Sequence, residues 1–325
     1  MFWNIDCVLG AKKHLPDNSV DLIVCDPPYG ICGDRLDKHY NRDETNVIDG
    51  YIEVPGSEYA EFSRNWIAEA ARVLRPGGGI YIVSGYTNLR HILNALAETN
   101  LQEVNHIIWK YNFGVYTSKK YVSSHYHILF YAKPGAPRTF NTFAFFSDSE
   151  RTESGGAANY LDREDVWVIN REYKPGEVKN KNQLPSALLA KIIMYSSNPN
   201  DMVCDFFMGS FSTAKVAVGL GRRACGFELN KAAFDYQMKQ MDSVRPGGLL
   251  DTFKKPVGNK LFNKGKALRE TEKLQILQEC NLLMGQGFTK KSSIEKIAEK
   301  HGRGYWSVLR VIDNNTGPVK EFSLF

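Results

Sequence analysis

The sequence predicts an α/β fold: a mostly parallel sheet with helices on both faces, an inserted region, and a small C-terminal helical unit. Three observations carry this reading. Apolar runs of strand length alternate with segments of helical periodicity. Two of those runs end in chemistry-bearing turns, Asp26-Pro27-Pro28-Tyr29 and Asp205-Phe206-Phe207-Met208-Gly209-Ser210-Phe211-Ser212-Thr213. The basic excess is confined to the end of the chain, which sets that end apart from the rest.

Taken in order, Val20–Cys25 is an apolar strand, and residues 32–56 are polar and long enough for a functional or disordered loop. Ser57 to Leu74 reads as a capped amphipathic helix, with Phe62, Trp66, Ala70 and Val73 near helical spacing and Pro76-Gly77-Gly78 as its stop. Strand 80–83, helix 87–98 and strand 103–109 continue the alternation. Between residues 111 and 133 aromatic and basic residues interleave, and Tyr126 to Tyr131 returns to strand. Residues 134–180 are polar and read as irregular. Helix 184–196, strand 202–205, helix 213–220, strand 224–228 and helix 231–242 follow. A linker is expected over 243–266, then three short helices near 268–284, 291–300 and 305–313.

Composition narrows the class. At 325 residues, 43% hydrophobic and 24% charged, the chain can bury a full core and carry an appendage. It has no apolar run of membrane-spanning length, and its start lacks the layout of a signal peptide. The six cysteines include no C-x-x-C pair, so buried thiols of a cytosolic protein explain them better than zinc or disulfides, and no metal is expected. From Lys239 onward there are 16 Lys and Arg against 9 Asp and Glu, whereas the preceding residues are net acidic. Contact with a polyanion follows from that surplus; a solvated basic tail would look the same.

The first turn suits a planar amino group. Asp26 at a strand's C-terminal end can accept one N–H and the Pro27 carbonyl the other, while the Tyr29 ring stacks on a heterocycle and Pro28 stiffens the backbone. The plainer reading is a strand ending in a proline turn with an N-cap aspartate. The second turn has a nucleotide-site layout: strand, glycine turn, helix, strand, then Glu228 placed for a ribose diol. Its glycine pattern is sparse, and a plain β-α turn fits it too.

Together the two turns resemble the beta-class amino-group (N6-adenine or N4-cytosine) DNA methyltransferases. Asp6-Cys7, Leu15 to Leu22, Asp26 to Gly30, Arg72 to Gly78, Asn198 to Asp205 and Gly221 to Glu228 are each similar to that family's segments, over about residues 1–240. The resemblance implies a Rossmann-like catalytic domain (1–110 and 181–242) dependent on S-adenosyl-L-methionine, with a target-recognition region at 111–180. It implies that Asp26, Pro27, Pro28 and Tyr29 hold and activate a flipped base. It also implies that Asp6, Cys7, Asn182, Gln183, Asp205, Phe207, Gly209, Ser210, Ser212 and Glu228 bind the cofactor. Lys119, Lys120, Tyr121 and His125 stand as DNA contacts by position and character; solvated or core roles are the alternative. Three positions depart from the family: Phe206 for a proline, Phe211 for a second glycine, and Leu184 for a lysine. Phe211 is expected to narrow the space near the methionine.

Asp26 rather than serine favours adenine N6 over cytosine N4. Double-stranded DNA is the implied substrate. A homodimer and a companion restriction endonuclease are compatible partners, in a bacterial or phage-encoded, nucleoid-associated protein. The 267–325 unit resembles a helix-turn-helix presenting Tyr305, Ser307 and Arg310, with a dimerisation bundle as the alternative. A protein-glutamine or RNA methyltransferase is a competing class, although the glutamine enzymes carry asparagine in place of Asp26. A DNA-binding protein with a decayed cofactor site is the non-enzymatic alternative.

Overall fold

A computed structural model describes residues 1–30, 54–111, 118–142, 163–172, 183–253 and 267–314. The chain divides into two compact units, Met1–Lys254 and Lys255–Phe325.

Among the described residues the first unit is built on one eight-stranded sheet. Its strands are β1 (Phe2–Trp3), β2 (Val20–Cys25), β3 (Leu74–Ser84), β4 (Gln102–Lys110), β5 (His125–Ala132), β6 (Val166–Val168), β7 (Met202–Asp205) and β8 (Arg223–Phe227). They lie in the order β1-β8-β7-β2-β3-β5-β4-β6, and only β5 runs against its neighbours. The central strands read as continuous apolar runs because both faces are covered. Helices α1 (Cys7–His14), α2 (Tyr59–Val73) and α3 (Leu89–Ala97) pack on one face through Ala11, Trp66, Ile67, Ala70 and Ile92. Helices α4 (Ser186–Ser196) and α5 (Ser212–Gly219) cover the other through Leu188, Leu189, Ile193, Ala214 and Ala217, flanked by Phe234 and Met238 of α6 (Lys231–Met241) and Leu250 of α7 (Leu250–Phe253).

Polar ties set the register beneath the site. The Asp21 carboxylate accepts from Arg75 Nε of β3 and, at 2.7 Å, from the Met202 amide of β7. One aspartate therefore aligns β2 with both neighbours.

Several expectations shift. Helix α2 starts at Tyr59 and its N-cap position is Glu58 with no side-chain cap, so Ser57 is not its cap. Pro76-Gly77-Gly78 does not separate helix from strand; it forms an irregular opening of β3, where the register with β2 jumps between Val20 and Leu22. Residues 134–180 are not wholly irregular, because Val166–Val168 adds β6 as an edge strand on β4. Three residues with one buried tryptophan are too short for a periodic signal. The linker expected from 243 contains α7 and belongs to the first unit up to residue 254. Strand β1 and helix α1 were not anticipated, although Asp6 caps α1 by accepting from the Val8 and Leu9 amides, both at 3.0 Å.

The described residues of the second unit form three helices: α8 (Glu270–Gly285), α9 (Lys290–His301) and α10 (Tyr305–Asn314). They close around Ile276, Cys280, Ile294, Ile297, Val308 and Ile312. Arg303, buried in the turn between α9 and α10, donates twice to Glu272 of α8, at 2.8 and 2.7 Å. Gly302 ends α9 in the left-handed region, which makes the turn tight.

Candidate functional site

The order of the strands brings the two turns together. From β2 the chain runs through α2 to β3 on one side; from β7 it runs through α5 to β8 on the other. The sheet order therefore reverses between β2 and β7, the place where open α/β sheets bind ligands beyond their strand ends. Ile23 pairs with Cys204, so Asp26 and Asp205 leave neighbouring parallel strands at the same edge. Strand β8 adds Glu228 directly beyond its last residue, and β1 on its far side leads into Asp6 and Cys7. Gly226 is needed here: it pairs with Asp205, and a Cβ on it would stand 2.3 Å from the Asp205 carbonyl oxygen.

The Asp26 segment is held by anchors that sequence reasoning missed. Tyr59 Oη donates to the Pro28 carbonyl at 2.7 Å, and Asn88 Nδ2 donates to the Tyr29 and Gly30 carbonyls at 2.6 and 3.2 Å. These anchors take the three carbonyls after Pro27. Gly30 has φ +65°, and a Cβ there would sit 2.6 Å from the Tyr59 ring and 2.7 Å from Asn88 Nδ2. Asp26 caps no helix. It accepts the Tyr29 hydroxyl at 2.6 Å, and burial raises its carboxyl to about 7, with Asp205 adding to the rise while Tyr29 and Arg171 oppose it.

At the second turn Asp205 is buried and accepts the Phe207 amide at 2.9 Å. Burial raises it to about 6, and Glu228 adds to the rise against hydrogen bonds from Phe207 and Thr213. Glu228, raised by burial, accepts the Gly209 amide at 2.7 Å and the Asn230 amide at 2.7 Å. It braces the glycine turn as well as ending the strand. Ser210 and Ser212 share a 2.5 Å hydroxyl contact. Phe207 is half-buried against Phe62 and Trp66, with centroids 5.7 and 5.2 Å away. Asp6 commits Oδ1 to the α1 amides, and Cys7 is buried, its thiol pushed up by burial and by Asp6. Gln183 is exposed ahead of α4, and Asn182 lies outside the described residues.

Phe211, expected to narrow the methionine side, turns its ring into the core. It is fully buried, 5.3 Å from Phe2 and 5.8 Å from Phe234, while its backbone takes the glycine-like φ of +57°. The chain accepts a strained backbone there, and burial of the ring offsets it. Phe206 packs against Trp66 and Phe227, and Leu184 joins the core on the α4 face.

The chemistry of this edge fits S-adenosylmethionine. Burial raises Asp26, Asp205 and Glu228 alike, Asp205 adds to the rise at Asp26, and Glu228 adds to it at Asp205; among the described residues Arg171 is the cation that opposes it, at Asp26. A ligand carrying a sulfonium and an ammonium would supply further positive charge.

Beside Asp26 lies an aromatic cluster that the sequence did not suggest. The Tyr29 ring stacks on Tyr126 at 5.5 Å, and Tyr126 stacks on Trp109 at 5.5 Å. The Arg171 guanidinium lies 5.4 to 5.8 Å from the ring centroids of Tyr126, Tyr111 and Trp109. The period-two run His125-Tyr126-His127-Ile128 places Tyr126 on the core face of β5; that signal was available. Lys119, Lys120 and Tyr121 are exposed, Tyr121 at 98%, and exposed His125 meets the His127 ring edge-on at 5.2 Å. In the second unit Arg310 is on α10 beside Ser307. Trp306, 73% exposed, takes the outward place expected of Tyr305, which packs into the three-helix core.

A parallel sheet with one reversed strand and an acidic, glycine-turned edge defines a methyltransferase of the S-adenosylmethionine-dependent class. The chain belongs to the N6/N4 DNA methylase family, whose pattern residues 20–239 match. It is 30% identical to the type II methyltransferase M.HpaI of Haemophilus parainfluenzae, over 72% of this chain and 71% of that one. It is 31% identical to the DNA adenine methyltransferase YhdJ of Escherichia coli, over 72% and 80%. In fold it is similar to the Thermus thermophilus protein TTHA0409 complexed with S-adenosyl-L-methionine (TM-score 0.54, 22% identity, 76% of this chain and 94% of that one). A comparable likeness joins it to the cytosine-N4-specific PvuII DNA methyltransferase (TM-score 0.54, 13% identity, 78% and 93%). The chain is therefore an S-adenosylmethionine-dependent amino-group DNA methyltransferase. Among the described residues no helix is long and apolar enough to cross a membrane, and no group of side chains could hold a metal ion.

Proposed function

We propose that this chain methylates the exocyclic N6 of adenine in double-stranded DNA, on a base flipped into the pocket at Asp26. The observation that carries this is the pairing of β2 with β7, which sets the Asp26 and Asp205 turns side by side. In its ionised form Asp26 accepts one N–H of the amino group and the Pro27 carbonyl accepts the other, localising the nitrogen lone pair. Tyr29 offers its ring for stacking, and Pro28 with Gly30 keeps the segment in place. Asp205, Gly209, Ser210 and Glu228, with Asp6, Cys7, Asn182, Gln183, Phe207 and Ser212 around them, are the residues proposed to hold S-adenosylmethionine. When bound, it supplies an electrophilic methyl on a neutral leaving group that needs no acid. The protein's share is positioning and charge, and a carboxylate near pKa 7 can take the proton the nitrogen sheds.

Adenine is favoured by Asp26 in the first position and by the likeness to YhdJ. Chromatography of nucleosides from DNA treated with the protein tests it: N6-methyladenine supports the proposal, and N4-methylcytosine alone overturns it. Residues 111–180 are proposed as the target-recognition region, with Lys119, Lys120, Tyr121 and His125 on phosphates or bases. The three-helix unit is proposed as a second DNA contact through Trp306, Ser307 and Arg310. A restriction endonuclease is the partner class suggested by the type II name of M.HpaI, and a second copy of the chain is the other.

A further inference from the structure

Arg171 lies in the stretch that leaves the inserted region, and the fold fixes it closely. Ile108 N donates to the Asp165 carbonyl at 2.8 Å, Ile169 N to the Lys110 carbonyl at 3.1 Å, and Trp109 Nε1 to the Ile169 carbonyl at 2.8 Å. The next residue, Glu172, accepts the Ser186 amide at 2.7 Å, which ties the same stretch to the start of α4. Arg171 then donates from Nη2 to Tyr126 Oη at 3.0 Å while its guanidinium lies over three rings. Tyr126 stacks on Tyr29, and Tyr29 donates to Asp26. A continuous path of two hydrogen bonds and one ring contact joins the recognition region to the carboxylate.

We propose that Arg171 is a positioning residue for methyl transfer: through Tyr126 it holds the Tyr29 ring, and with it the orientation and charge of Asp26. This rests on the reading of Asp26 as the group that holds the target amine. A fork that donates to a hydroxyl and stacks on rings is a task for arginine that lysine performs poorly. Among the described residues, the groups facing Asp26 are Tyr29 on its own segment, Asp205 at the end of β7, Cys25 beneath it and Arg171; of these only Arg171 is cationic. Losing that charge moves Asp26 further up. Because Arg171 sits at the exit of the recognition region, a displacement of that region on DNA would reach the carboxylate by this path.

The test uses the full chain as wild type, R171Q, R171K, Y126F and D26A. Tritium transfer from S-adenosylmethionine to unmethylated genomic DNA is followed between about pH 5.5 and 9, and cofactor affinity is measured by calorimetry. R171Q should lose about tenfold or more in kcat, with the KM for DNA and the cofactor Kd within about threefold. The acid limb of its pH profile should move to higher pH. R171K should restore the limb but not the full rate, and Y126F should lower the rate with the limb in place. An R171Q that raises only the KM for DNA makes Arg171 a DNA contact and overturns the proposal, as does an R171Q indistinguishable from wild type. If R171Q does not fold, wild-type behaviour of R171K and Y126F overturns it equally. D26A separates the two ideas: an active D26A removes the reading of Asp26, whereas an inactive D26A beside a normal R171Q removes only Arg171.

Discussion

Replacing Asp26 by asparagine should make the protein more stable and nearly inactive, with the gain in stability depending on pH. Burial and Asp205 hold the carboxyl at about 7, against an ordinary value of 3.8. A folded-state pKa raised above the unfolded one favours the fold below the unfolded value, and that contribution is lost as pH rises through the folded one. At about pH 8 the ionised carboxylate therefore opposes folding. Roughly three pH units correspond to a ceiling of about 4 kcal/mol. Asp26 is only half-buried at the sheet edge, so solvent screening lowers the expected effect to about 1–2 kcal/mol. The asparagine would keep an oxygen to accept the Tyr29 hydroxyl, so the change removes charge with little loss of contact. Urea unfolding followed by tryptophan fluorescence should show D26N ahead by that amount at about pH 8, at unchanged m, with the lead shrinking toward about pH 4. Methyl transfer should fall by about a hundredfold or more. A D26N no more stable than wild type in the alkaline measurement, or one whose lead does not depend on pH, refutes the electrostatic argument.

Cofactor binding should weaken as pH falls below about 7, because a cation favours the ionised forms of Asp26 and Asp205, which stand at about 7 and about 6. Calorimetry in buffers of different ionisation enthalpy should register proton release near about pH 6.5; the absence of release would contradict the assignment of Asp205 to the cofactor site with Asp26 beside it. Phe211→Gly should destabilise by about 2–4 kcal/mol despite relieving the backbone, since the buried ring contributes more than the strain costs. Its cofactor Kd should stay within about threefold of wild type; markedly tighter binding would mean the ring does enter the cofactor space. Arg310→Ala should reduce the salt slope of DNA binding by about one without changing cofactor affinity. An unchanged slope removes α10 from the DNA surface.

What the sequence made legible was local. The apolar run Val20–Cys25 and the turn after it can be read because strand and turn chemistry depend on adjacent residues. The strand-helix alternation pointed to a parallel sheet for the same reason. The strand order that sets Asp26 beside Asp205 is a tertiary fact, and only the resemblance to a family suggested it. Three features escaped for physical reasons. Tyr59 and Asn88 reach the Pro28–Gly30 carbonyls from α2 and the start of α3, and no spacing rule joins positions so far apart. Phe211 looked obstructive because sequence gives a side chain's size but not its direction; a left-handed backbone turns the ring into the core. Arg171 followed a polar stretch whose strand is three residues long, so its place over Trp109, Tyr111 and Tyr126 had no periodic signal. In the second unit the helix limits could be read to within a residue or two, but the outward face could not, and Trp306 rather than Tyr305 occupies it.

The central claim is that the turn after β2 and the turn after β7 bound one reaction site. A bisubstrate ligand tests it most directly: adenosine whose N6 is joined by a short alkyl link to the amino-acid-bearing end of a cofactor analogue. Calorimetry should show it binding at least about tenfold tighter than the cofactor fragment alone, with that gain lost in D26A and overall binding lost in Asp205→Ala. Affinity no better than the fragment, or a gain that survives D26A, would mean that the two turns do not serve one transfer.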